Sequence, residues 1–146
     1  MRKIGFLVLS LCLASTLSGF AQKKSTELNL VTTKGSLSGT LLPAGRNQTI
    51  AIIIAGSGPT DRDGNNYLGV KANSYKLVAE GLAKQGIASL RYDKRAVGKS
   101  ISPGMKEADL RFDDYINDVK SWFNYVLDSL KYKKVVLIGH SEGALL

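Results

Sequence analysis

The stretch VVLIGHSEG, Val135 to Gly143, sets a short, largely β-branched apolar run directly before a G-x-S-x-G pattern, and its reading decides the fold. Four apolar residues ending at Ile138 are the length and composition of a buried strand. A serine nucleophile must leave such a strand on a sharp, strained turn into a helix. Gly139 and Gly143, two positions either side of Ser141, allow that turn without side-chain collisions. The peptide N–H after the serine, that of Glu142, would then face the oxygen that becomes negative during acyl transfer. His140 is the only histidine of the chain, but adjacent side chains diverge at such an elbow. It is expected to pack locally rather than to act as general base.

Working outward, Thr49–Ala55 (TIAIIIA) is apolar and β-branched, as a strand buried on both faces of a parallel sheet should be. Gly56-Ser57-Gly58-Pro59 follows it, and small residues there would leave the Ser57 N–H open as a second oxyanion donor. Ile87–Tyr92 predicts another central strand. Between these strands, a helix is expected to be capped by Asn73 or Ser74, to present Tyr75, Leu77, Val78, Leu82 and Ala83 on one face, and to close at Gly86. Three- and four-residue steps from Phe112 through Tyr115, Ile116, Val119, Trp122, Phe123, Val126 and Leu127 to Leu130 predict a second amphipathic helix, with Asp113 and Asp114 suiting its N-terminus. Ahead of all these, Glu27–Thr33 and Ser36–Leu42 read as a hairpin turned at Lys34–Gly35. The fold class expected is therefore α/β: a mostly parallel sheet with flanking helices and an N-terminal antiparallel hairpin. Ligands of such sheets bind at the carboxyl ends of the strands, so the informative loops begin at Gly56, Asp93 and Gly139.

Two loops imitate other chemistry. Asp93–Ser100 ends in Gly-Lys-Ser like a phosphate-binding loop, but Asp93 stands where that loop needs a small residue, and its charge would oppose phosphate. An Asp–Arg brace at the rim of the site is the better expectation. Asp61, Asp63 and Asn65 have calcium-loop spacing, yet Asn66 replaces the required glycine and Ala72 the closing glutamate. A turn-stabilising role or a looser cation contact stays open. No His/Cys cluster supports zinc, and neither a metal nor another cofactor is expected.

The chain has 146 residues, 20 of them basic and 12 acidic, for a net charge of +8. The basic residues are scattered and not interleaved with aromatics, which argues against a nucleic-acid face and for a solvated surface. Met1–Ala21 has the form of an export signal: Arg2 and Lys3, an apolar run over Ile4–Leu17, and small residues at Gly19 and Ala21. The run is too short for a stable membrane anchor. Cleavage would remove Cys12, the only cysteine, and lower the charge to +6, leaving a disulfide-free periplasmic or secreted domain over residues 22–146.

Taken together, AGSGPTDRDGN (Ala55–Asn65), GLAKQGIASLRYDKRAVGKS (Gly81–Ser100), FDDYINDV (Phe112–Val119) and VVLIGHSEG resemble the α/β-hydrolase superfamily, in particular exported bacterial esterases of the dienelactone-hydrolase and prolyl-oligopeptidase-like branch. The resemblance implies hydrolysis of small-molecule carboxylic esters through an acyl-enzyme on Ser141, with the Ser57 and Glu142 N–H groups holding the oxyanion. A serine peptidase on the same scaffold and a non-catalytic exported fragment are the alternatives. Ala55 stands where many relatives have His, and Ala96 where a glycine is usual in D-x-R-G-x-G-x-S. The family's acid and base follow the serine in that order. The sequence reaches Leu146 before either, so the expectation is the N-terminal half of the domain, ending after the nucleophile elbow, inactive alone and with an apolar, unpaired strand edge at Val135–Ile138.

Overall fold

A computed structural model describes residues 24–45 and 48–146; the expected signal segment, Met1–Ala21, lies outside the described residues. Among the described residues, five strands form one mixed sheet: β1 (Thr26–Thr32), β2 (Gly35–Leu42), β3 (Thr49–Ile54), β4 (Ala88–Tyr92) and β5 (Lys134–Gly139). Their spatial order is β1-β2-β4-β3-β5. The hairpin β1–β2 continues antiparallel onto β4, while β4, β3 and β5 run parallel. Two helices, α1 (Ser74–Lys84) and α2 (Phe112–Asp128), make the crossovers that parallel neighbours require.

Alternation along β3 divides the core into two layers. Ile50, Ile52 and Ile54 join Leu37, Leu90 and Tyr92 beneath Val119, Trp122 and Val126 of α2. Ile53 and Ala55 point the other way and pack with Tyr75 and Ala79 of α1. Each isoleucine so buried contributes roughly 1.5–3 kcal/mol. Trp122 is wholly buried, edge-on to Tyr125. A side chain at position 39 would begin 3.0 Å from its ring, so Gly39 gives the indole its room.

Local details correct several expectations. Asn73 precedes α1 in a left-handed conformation and makes no side-chain cap; its carboxamide oxygen accepts instead from Asn65 Nδ2 at 3.0 Å. Leu77 and Val78 are exposed, and Ala79 fills the centre of the α1 contact, because the helix meets the sheet along the Tyr75–Ala79 line. Phe112 and Phe123 are likewise exposed on α2. Gly86 does close α1 at φ 75. The apolar run Val135–Ile138 reads as a buried strand, but among the described residues β5 pairs with β3 alone and is the sheet edge, leaving Val136 and Leu137 about half exposed. The exposed apolar edge is thus present. No helix among the described residues is long and apolar enough to cross a membrane.

The solvated-surface reading of the basic residues fails at four positions. Arg62, Arg91, Lys94 and Arg95 are buried, because each finds an acceptor inside the fold. Arg91 pairs with Asp63 at 2.9 Å and Arg95 with Asp118 at 2.5 Å. Composition counts charges but carries no information on which of them meet.

Candidate active site

Parallel strands β3 and β5 end side by side, and the chain leaves each through a glycine. After Gly139, His140 is still extended, its N–H donating to the Ile54 carbonyl at 3.1 Å. Ser141 then turns abruptly with φ 52, a left-handed conformation that costs an L-residue roughly 1–2 kcal/mol. A 3-10 turn over Ser141–Ala144 follows. Close approach explains both flanking glycines. A Cβ on Gly139 would run into the Gly143 carbonyl, and one on Gly143 would lie 2.6 Å from the Ile54 carbonyl oxygen. Ser141 is exposed at the tip of this bend.

The loop after β3 lies flush against the elbow. A Cβ on Gly56 would fall 2.9 Å from His140 Nδ1 and 3.2 Å from the Ser141 Cβ. Ser57, the next residue, is exposed. Among the described residues, neither the Ser57 N–H nor the Glu142 N–H is engaged by a backbone acceptor. Ser57, Gly139, Ser141, Glu142 and Gly143 are therefore brought to one end of the sheet.

Two side chains the sequence reading passed over hold this arrangement. The Tyr75 hydroxyl, from α1, accepts the Gly56 N–H at 3.2 Å and meets His140 Nδ1 at 3.0 Å. The single histidine is thus packed against Tyr75 beside the elbow. Lys94, just past β4, sends a buried ammonium to the Gly56 carbonyl at 2.5 Å and to Glu142 Oε2 at 3.5 Å, with the Tyr115 ring 5.5 Å away. The available signal was a charged run, Asp93-Lys94-Arg95, placed immediately after an apolar strand at the carboxyl end of the sheet.

The expected Asp–Arg brace exists with other partners. Asp93 pairs with Arg62, not Arg95. Its carboxylate also accepts the Lys99 N–H at 2.9 Å, so the Gly-Lys-Ser turn wraps the protein's own anion. Ala96 and Gly98 are both left-handed there, at φ 59 and 52. In the Asp61–Asn65 loop, Asp61 Oδ1 accepts the N–H groups of Asp63 and Asn65, each at 2.9 Å, which is the turn-stabilising role. Among the described residues, no group of three or more His, Cys, Asp or Glu could hold a metal ion.

Burial sets the ionisation of these braces. The Asp118 carboxyl is pushed up by desolvation, against the pull of Arg95, and its Oδ2 has no partner among the described residues. Arg62 is raised: desolvation opposes its charge, but the hydrogen bond and charge of Asp93, with Glu27 and Asp63, prevail.

Comparison with known proteins fits this geometry. The family model Hydrolase_4, described as serine aminopeptidase, S33, matches residues 68–146. Esterase EstD of Thermotoga maritima is 28% identical over 134 residues, covering 89% of this chain and 30% of that protein. Dienelactone hydrolase from Anabaena variabilis superposes with a TM-score of 0.64 at 21% identity, over 84% of this chain and 54% of the other. The Pyrococcus furiosus esterase Pf2001 does so with a TM-score of 0.62 at 24% identity, over 84% and 44%. The chain thus spans about half the length of those two structures and less of EstD. A mixed sheet whose parallel strands meet at a glycine-flanked serine, and a family match over more than half its residues, place the chain in the Hydrolase_4 family with an α/β-hydrolase fold.

Proposed function

We propose that the protein is a serine hydrolase of small carboxylic esters, with Ser141 as nucleophile. The observation that carries the reading is the left-handed Ser141 at the end of β5, exposed and flush with the Gly56 loop. Backbone strain at an exposed polar residue is characteristic of functional turns. Ser141 Oγ attacks the ester carbonyl carbon as its proton passes to a base, and the Ser57 and Glu142 N–H groups receive the charge on the carbonyl oxygen. The alcohol leaves with that proton, and water then cleaves the acyl-serine. His140 is read as a packing residue and not as the base: adjacent side chains diverge at the elbow, its ring lies beside Tyr75, and the family order sets the acid and the base histidine after the serine. The Met1–Ala21 signal would deliver the enzyme to the periplasm or medium.

The names of EstD and Pf2001 support an ester substrate, whereas the family description favours a second reading, an aminopeptidase. In the full chain, a fluorophosphonate probe should label Ser141, and Ser141→Ala should abolish both labelling and turnover of p-nitrophenyl esters. Labelling elsewhere, or undiminished turnover by the alanine variant, overturns the nucleophile. Faster turnover of aminoacyl arylamides than of esters replaces the substrate class.

A further inference from the structure

We infer that Lys94 is a positioning residue of the oxyanion site, orienting the Ser57 peptide and steadying the Glu142 turn from beneath; this rests on the serine-hydrolase reading above. A buried ammonium is costly, and Lys94 is 4% exposed. A methionine could fill that space without the desolvation cost. What only the ammonium supplies is its pair of contacts: the Gly56 carbonyl at 2.5 Å and the Glu142 carboxylate at 3.5 Å.

Those partners are informative. The Gly56 carbonyl and the Ser57 N–H belong to one trans peptide, so they point in opposite directions. Holding the carbonyl inward therefore turns the Ser57 N–H outward, toward the space above the sheet where Ser141 is exposed. Tyr75 fixes the preceding N–H of Gly56, and Lys94 fixes its carbonyl. With both groups held, the peptide cannot flip to hide its donor. The second proposed donor, the Glu142 N–H, belongs to the residue whose carboxylate meets the same ammonium. Lys94 touches neither substrate nor reacting atom; it acts through these two residues.

The test compares wild type with Lys94→Met and Lys94→Gln in the full chain, using p-nitrophenyl acetate and a trifluoromethyl ketone that forms a tetrahedral adduct. Loss of one oxyanion donor costs on the order of 10²–10³ in kcat, so misorienting one should lower kcat by at least about tenfold. KM should stay within about twofold, and the ketone should bind weaker in proportion to the lost kcat. Gln can still donate to the Gly56 carbonyl, so it should retain more kcat than Met, and it serves where Met disturbs folding. A wild-type kcat in both variants, or a loss confined to KM with ketone binding unchanged, overturns the inference and leaves the nucleophile standing. A wild type that neither turns over ester nor labels at Ser141 overturns the nucleophile and this inference together.

Discussion

Arg62 grips Asp93 from both sides, donating its backbone N–H to one carboxylate oxygen at 2.8 Å and its Nη2 to the other at 2.7 Å. The pair is buried and joins the loops that follow β3 and β4. Removing one member of such a pair strands the other, typically at about 3–5 kcal/mol. The two losses should differ. Arg62→Met leaves the carboxylate with the backbone N–H groups of residues 62 and 99, whereas Asp93→Ala orphans both of those buried donors and leaves the guanidinium only Glu27, Thr40 and Ser38. Urea unfolding should show Asp93→Ala as the more destabilising, and equal costs would refute the two-sided grip.

Ala96 adopts φ 59 in a turn where the family pattern places glycine. The turn keeps its shape, and the alanine bears the strain. Ala96→Gly should therefore raise stability by about 1 kcal/mol, seen as a higher Tm, even though glycine loses more entropy on folding. A lower Tm would mean that the left-handed conformation costs nothing here.

The type and extent of the elements were legible in local periodicity, though not every residue of their buried faces, as exposed Leu77, Val78, Phe112 and Phe123 show. The β-branched runs at residues 49–55 and 135–138, and the apolar spacing from Phe112 to Val126, gave strands and a helix within a residue or two because burial alone selects such patterns. The placement of Ser141 after a strand was legible because glycine spacing reports backbone crowding. Partner choice was not. Asp93 with Arg62, Arg95 with Asp118 and Lys94 with Gly56 join residues far apart in sequence, and nothing in a charge's own neighbourhood names the group it will meet. The apolar run of β5 by itself reads as a buried strand, since it looks the same with one neighbour as with two; the order of elements is what placed it at the edge.

Crowding at the elbow can be tested with two glycines. A methyl on Gly143 would lie 2.6 and 2.7 Å from the Ile54 and Ala55 carbonyl oxygens, and neither backbone atom can swing aside. Gly143→Ala should cost about 1–3 kcal/mol through overpacking and slow fluorophosphonate labelling of Ser141. Gly81, on the exposed side of α1, meets nothing within 4 Å. Gly81→Ala should gain up to about 1 kcal/mol from helix propensity and leave labelling unchanged. Identical labelling in the two variants would show that the Gly143 contact does not shape the turn.

Acid sensitivity follows from Asp114 at the start of α2. A hydrogen bond from Lys34 Nζ at 2.6 Å, with the Arg111 N–H at 3.0 Å, holds its carboxyl below the ordinary aspartate value. A depressed carboxyl stabilises the fold fully above its unfolded pKa, about 3.9, and the contribution is lost as pH falls through the lower folded value. Lys34 is 63% exposed, so solvent screening keeps that ion pair modest, and the N–H contact at the helix start carries the rest. Asp118 has the opposite sign: its raised pKa makes stability fall as pH rises from the unfolded value through the folded one. Desolvation is the main cause of that rise and the Asp114 charge a lesser one, so most of the Asp118 effect is common to wild type and Asp114→Asn and cancels in their difference. That difference, measured by urea unfolding, should be steady near neutral pH and shrink as the pH drops below about 4. A gap between the two proteins that stays constant down to pH 2 would remove Asp114 from the acid response.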